Sequence, residues 1–130
     1  MEEVFEFLRT CGVFYIATVE DNQPRVRPFG ALNIFEKKLY IQTGKSKKVS
    51  KQMQQNPHIE ITSMYNGKWI RLEAAVVRDD RIEAKQSMLD ANPELKGMYS
   101  AEDDNTEVLY LKNVKATFYS FTSEPRTVEF

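Results

Sequence analysis

Residues 24–57 decide the fold, and they read PRVRPFGALNIFEKKLYIQTGKSKKVSKQMQQNP. This stretch predicts a strand, a turn, a second strand and then a basic helix. Arg25 and Arg27 are two residues apart in the first strand, so their side chains are expected to leave the same face. Pro28 and Gly30 then interrupt that strand, which is typical of a sheet edge or a bulge.

The second half of the stretch predicts a concentration of positive charge where a strand is followed by a helix. Residues 39–43 are the expected strand, and residues 46–55 are the expected helix, with Ser46 as its N-cap. Lys47 and Lys48 would lie beside the free backbone N–H groups of the first turn. Cations and N–H donors at a helix start can hold a phosphate dianion. An ordinary solvated helix start has the same residue types, so this pattern alone leaves both interpretations open.

The order of these pieces resembles the flavin-binding segment of the pyridoxamine 5′-phosphate oxidase-like split-barrel family. In that family, an arginine-bearing strand is followed by a strand that ends in threonine and then by a serine-basic-basic helix start. The corresponding pieces are Arg25-Val26-Arg27-Pro28-Phe29, Gln42-Thr43 and Ser46-Lys47-Lys48. Two later segments extend the resemblance over most of the chain: Gln55-Asn56-Pro57 followed by Ile59-Glu60-Ile61, and Trp69-Ile70-Arg71-Leu72.

The resemblance implies a homodimer that binds FMN at the subunit interface. Either Arg25 or Arg27 would place a cation near the polar edge of the flavin ring, which favours the reduced anionic ring. Trp69 lies where the family supplies a polar contact from the other subunit, often from glutamine, so tryptophan is expected to stack or make an edge contact instead. Arg71 lies two residues after Trp69 and is expected on the same face of the strand. The implied site residues are Arg25, Val26, Arg27, Pro28, Phe29, Gln42, Thr43, Ser46, Lys47, Lys48, Trp69 and Arg71.

The implied function is that of a flavin-dependent oxidoreductase or reductase acting on a small substrate that the sequence does not name. The full oxidases of the family are longer and end in an arginine-bearing segment, which residues 123–130 do not match. The resemblance therefore transfers the cofactor site without the substrate site. Two alternatives stay open: a non-catalytic flavin-binding or stress-related module, and a split barrel that binds haem or another ligand.

Composition narrows the remaining classes of function. The chain has 130 residues, 42% of them hydrophobic, which suits one domain over residues 1–130. A net charge of −1 argues against a barrel that binds single-stranded nucleic acid through the lysines near residue 47. His58 is the only histidine and Cys11 the only cysteine, so neither a metal site nor an internal disulfide is expected. Residues 1–12 are unlike a signal peptide, and a cytoplasmic location is expected.

Patterns along the rest of the chain predict a mostly β protein, a six- to seven-stranded antiparallel split β-barrel with peripheral helices. Asn66-Gly67 is a strong hairpin signal, and Asn113 is expected to turn the chain between the last two strands. Residues 74–77 are apolar at every position, which predicts burial on both faces, against a partner subunit. The other expected helices are 2–10, 80–91 and 93–98, and the other expected strands are 13–19, 58–64, 68–78, 107–112 and 114–122.

Overall fold

A computed structural model describes all 130 residues, and its framework is one antiparallel sheet. The strands are β1 (Phe14–Glu20), β2 (Gln23–Phe29), β3 (Leu32–Phe35), β4 (Lys38–Gly44), β5 (His58–Tyr65), β6 (Lys68–Asp79), β7 (Thr106–Ser120) and β8 (Arg126–Glu129). The helices are α1 (Glu2–Cys11), α2 (Lys48–Gln55) and α3 (Ile82–Ala91), with a short 3₁₀ helix at Pro93–Gly97. The strand order is β2-β1-β5-β6-β7-β4-β3, and β8 pairs with β7.

The predicted mostly β, split-barrel class is confirmed: the sheet is antiparallel, and its end strands β2 and β3 do not pair with each other. The sheet has eight strands rather than six or seven, because β3 and β8 were not expected. The predicted turn at Asn113 is wrong. Asn113 has a positive φ of 54° within the continuous strand β7, and the pairing with β6 shifts by one residue between Glu73 and Ala75. The asparagine therefore forms a bulge, not a turn.

The main core lies on one face of this sheet. Alternation along β1 buries Phe14, Ile16 and Thr18 and leaves Tyr15 and Val19 exposed, as expected for a strand with one covered face. The core comprises 19 buried residues, which come from the strands and from α1 and α2. Asn66 and Gly67 both have positive φ, 53° and 77°, which confirms the predicted hairpin turn.

A smaller core covers the opposite face of β4 and β7. Tyr40 and Val108 pack there against Ala84 and Met88 of α3. Gln42 pairs in register with Val108, so it lies on the same face as Tyr40, near the end of this layer. The layer of the smaller core thus includes a buried polar side chain beside Val108.

Candidate functional site

Two adjoining hollows lie where β2, β4 and α2 meet. The first, which we call the Gln42 cavity, has a volume of about 380 Å³. The second, the Arg25 hollow, has a volume of about 400 Å³. Arg27, Lys47 and Val49 line both of them, so the two hollows form one continuous groove. Other predicted site residues divide between them: Pro28, Phe29, Gln42 and Thr43 line the cavity, and Arg25, Val26 and Lys48 line the hollow.

Arg27 lies at the junction and is fixed by hydrogen bonds on its inner side. Its Nη1 donates to the Ile16 carbonyl at 3.1 Å and to Thr18 Oγ1 at 2.8 Å, and its Nη2 donates to Gln52 Oε1 at 2.5 Å. Burial lowers the pKa of Arg27 from its usual value, and repulsion from Arg25 adds to this effect. A guanidinium held by neutral acceptors keeps its charge available to a ligand.

Glu20 is the one carboxylate that lines the Arg25 hollow. Its Oε1 accepts from Arg25 Nη2 at 3.1 Å, and its Oε2 accepts from Gln52 Nε2 at 3.3 Å. These hydrogen bonds, that from Arg25 first, hold the pKa of Glu20 below its usual value. One negative charge therefore faces four cationic side chains, those of Arg25, Arg27, Lys47 and Lys48, and the hollow is positive overall.

The start of α2 differs from the prediction. The helix begins at Lys48 with Lys47 as N-cap, and no side chain caps it, so Ser46 is not the cap. The Ser46 backbone N–H instead donates to Asn105 Oδ1 at 3.0 Å, within a turn that the hydrogen bond from the Lys47 N–H to the Gly44 carbonyl closes. The first N–H groups of α2, at Lys48 and Val49, lack backbone partners and remain available to an anion.

Gln42 is the decisive feature of the cavity. Its side chain is buried, with 6% of the residue exposed, and neither Nε2 nor Oε1 has a hydrogen-bond partner. A buried amide without partners costs about 1–3 kcal/mol. Because Gln42 lines the cavity, its unpaired donor and acceptor lie beside the space that a ligand would occupy.

One wall of the cavity comes from the segment after α3, which sequence reasoning did not single out. Glu94, Leu95, Met98 and Tyr99 line it. The predicted helix over 93–98 is confirmed as the 3₁₀ helix. The residue types of this segment are those of any exposed segment, so the sequence did not indicate that it lines a cavity. Their position depends on α3, which packs on β3 and β7.

Three other residues from the sequence analysis lie outside the groove of their own chain. Trp69 stacks on Tyr119, with ring centroids 5.5 Å apart. Arg71 pairs with Glu60 at 2.9 Å on the exposed sheet face. His58 lines a separate hollow that includes Ala17 and Ala75, and no cluster of metal-ligating side chains exists in the structure. The contact of Trp69 and Arg71 with a partner's flavin therefore stays a prediction.

Comparison with known proteins identifies the family. The family model described as pyridoxamine 5′-phosphate oxidase matches residues 1–119. The chain belongs to this family. The search of curated proteins found no match. No helix has the length and apolar character needed to span a membrane.

Solved structures of three relatives extend the comparison. A NimC/NimA family protein from Clostridium acetobutylicum is 49% identical, with a TM-score of 0.97, and the match covers 100% of this chain and 92% of that one. A pyridoxamine 5′-phosphate oxidase-related, FMN-binding protein from Nostoc punctiforme is 18% identical (TM-score 0.66; 99% and 93% covered). The haem storage protein HutZ from Vibrio cholerae is 14% identical (TM-score 0.67; 85% and 87% covered). The last two similarities show the fold alone.

Proposed function

We propose that residues 1–130 form one FMN-binding domain and that the protein is a flavin-dependent oxidoreductase that acts on a small molecule. The observation that carries this proposal is Gln42, which lines a cavity next to a cationic hollow and whose buried amide lacks hydrogen-bond partners. The FMN-binding relative from Nostoc punctiforme shares the fold. A cytoplasmic location, supported by the single Cys11, belongs to the same proposal.

The cationic half of the groove suits the phosphate. Lys47 and Lys48 are exposed and make no ion pair, so their charges are not already neutralised. The unpaired N–H groups of Lys48 and Val49 lie at the same helix start. Lysines and helix-start amides together form the usual environment of a bound phosphate.

The Gln42 cavity suits the ring. Phe29, Ala31 and Leu95 give it apolar walls, and Gln42 supplies a donor and an acceptor. When bound, the flavin would supply electron transfer, and the residues of the chain would bind it, orient it and exclude water. Arg27, held by Thr18 and Gln52, keeps a positive charge at the junction of the two hollows, where it would favour a reduced, anionic ring.

The exposed face of β1 and β2 supports a homodimer. Tyr15, Val19 and Val26 are 45%, 38% and 68% exposed, and each pairs in register with an apolar partner on the neighbouring strand. This face lies directly behind Arg25 and Arg27, which leave the opposite side of β2. A second copy seated on it would bring the two flavin sites close to the interface. The run at residues 74–77, which was predicted to pack against a partner, has residues 74 and 76 buried and residues 75 and 77 half-buried in the single chain.

Nothing in the groove favours haem over flavin. His58, the only histidine, lines a different hollow and cannot ligate an iron in the Gln42 cavity. The haem storage relative shares the fold at 14% identity, which does not transfer its ligand. The choice between an enzyme and a non-catalytic flavin-binding module depends on whether an electron donor reaches the bound flavin.

The phosphate assignment can be tested by titrating the protein with FMN and with riboflavin and following the quenching of flavin fluorescence. FMN should bind more tightly, since each charge-assisted hydrogen bond contributes about 1.5–3 kcal/mol. Replacing both Lys47 and Lys48 with alanine should weaken FMN by tens-fold or more and leave riboflavin little changed. Lys51→Ala is the matched control, because Lys51 is exposed on the same helix and lines neither hollow. Equal affinity of the wild-type protein for the two flavins would contradict the assignment.

A further inference from the structure

Glu94 gives the Gln42 cavity an unpaired negative charge. It lines the wall formed by the segment after α3, and it takes part in none of the ion pairs of the structure. Leu95, next to it, packs against the smaller core, so the wall is anchored. Glu94 itself is exposed, and no cation of the chain pairs with its carboxylate.

Glu94 is the one carboxylate that lines this cavity, and Arg27 and Lys47 are the two cations that line it. Arg27 is held on the β1 and α2 side by Thr18 and Gln52. Lys47 lies at the α2 start, where the phosphate is proposed to bind. A phosphate dianion bound there would offset the charge of Lys47, so Glu94 and Arg27 would be the charged groups left near the ring.

The rest of the wall suits a flat, apolar molecule. Met98 is 74% exposed, and thioether sulfur makes favourable contacts with aromatic rings. Tyr99 is half-buried and presents both a ring and a hydroxyl group. A cavity of about 380 Å³ lies near the small end of the range for ligand pockets, so a molecule that shares it with a flavin must be small.

We propose that the wall of Glu94, Leu95, Met98 and Tyr99 is the substrate side of the flavin site and that it selects a small, planar aromatic molecule with a positive charge. Glu94 is the residue that sets the charge preference. This inference rests on the proposed function, because it requires FMN to occupy the cationic end of the groove.

The test uses three probes of nearly equal size: benzamidine, a cation; benzamide, neutral; and benzoate, an anion. Each is titrated into protein first shown to carry FMN, and binding is followed by calorimetry and by the change in the flavin absorption spectrum. Benzamidine should bind about two- to fivefold more tightly than benzamide, as expected for one exposed ion pair, and benzoate should bind most weakly. Glu94→Gln should abolish the difference between benzamidine and benzamide. Glu102→Gln, an exposed carboxylate outside the cavity, should leave it unchanged.

Failure of this inference and failure of the proposed function give different results. If the protein takes up no FMN, the proposed function fails before any probe is added. If FMN is bound but no probe binds, or benzoate binds best, or the preference for benzamidine survives in Glu94→Gln, the charge selection by this wall is refuted.

Discussion

The unpaired amide of Gln42 predicts a cost in stability for the flavin-free protein, which the proposed flavin would recover on binding. Gln42→Met removes a buried donor and acceptor that have no partners and keeps a side chain of similar length. Because such groups cost about 1–3 kcal/mol when they are buried without hydrogen bonds, the flavin-free variant should be more stable than the wild type by a similar amount. That corresponds to a rise in Tm of roughly 3–10 °C. The same variant should bind FMN about tenfold more weakly.

Gln52 provides a matched control of the same residue type. It is also buried, at 3% exposed, but its Oε1 accepts from Thr18 and Arg27 and its Nε2 donates to Glu20. Gln52→Met therefore leaves a partly buried guanidinium short of an acceptor and should destabilise the protein by about 2–3 kcal/mol. Urea unfolding of the flavin-free proteins, at one protein concentration, measures both changes. If Gln42→Met is destabilised as much as Gln52→Met, the Gln42 amide is already satisfied in solution and the reasoning is refuted.

Three further predictions concern assembly, electron transfer and pH. Sedimentation at micromolar concentration should give a dimer, because the apolar side chains of Tyr15, Val19 and Val26 on β1 and β2 are exposed in the single chain. A flavin-loaded monomer would contradict this. Under anaerobic conditions NADH or NADPH should bleach the bound flavin within minutes. The nicotinamide would have to dock directly over the flavin ring, because the chain has no dinucleotide-binding motif. If neither nucleotide bleaches the flavin, the non-catalytic module is favoured. The hydrogen bonds from Arg81 lower the pKa of Asp79 to about 2, whereas an unfolded aspartate has a pKa of about 4. The ionised Asp79 carboxylate therefore stabilises the folded protein fully at neutral pH, and this stabilisation is lost as pH falls from about 5 to about 2. Asp79→Asn should therefore show a shallower loss of stability in acid than the wild type, and equal losses in urea unfolding would contradict the assignment.

Local chemistry made much of the fold predictable. Asn66 and Gly67 adopt the positive φ angles that a two-residue hairpin requires, and the apolar pattern of residues 2–10 matches α1. Asn113 was misread because asparagine tolerates a positive φ both in turns and in bulges. The choice depends on whether the flanking segments stay paired with β6, which is a long-range property.

The groove was predictable only in part. The sequence predicted the positive charges at Lys47 and Lys48 but placed the helix cap wrongly at Ser46. The Ser46 N–H is bound by Asn105, which lies 59 positions away along the chain, and local sequence does not reveal such a contact. Gln42 was expected at the site, yet its lack of partners depends on tertiary packing and cannot be read from sequence. Glu94 and Met98 gave no signal at all, because an exposed 3₁₀ helix resembles any other surface segment.

The most direct test of the central claim is the identity of the molecule that the protein binds. The protein should be purified without added cofactor, its absorption spectrum recorded, and any chromophore released by denaturation and identified by mass. The flavin site predicts the two absorption bands of an oxidised flavin and release of FMN, with added FMN taken up at one equivalent per chain by protein that is purified empty. A colourless protein that takes up no added FMN, or a spectrum dominated by haem, would contradict it.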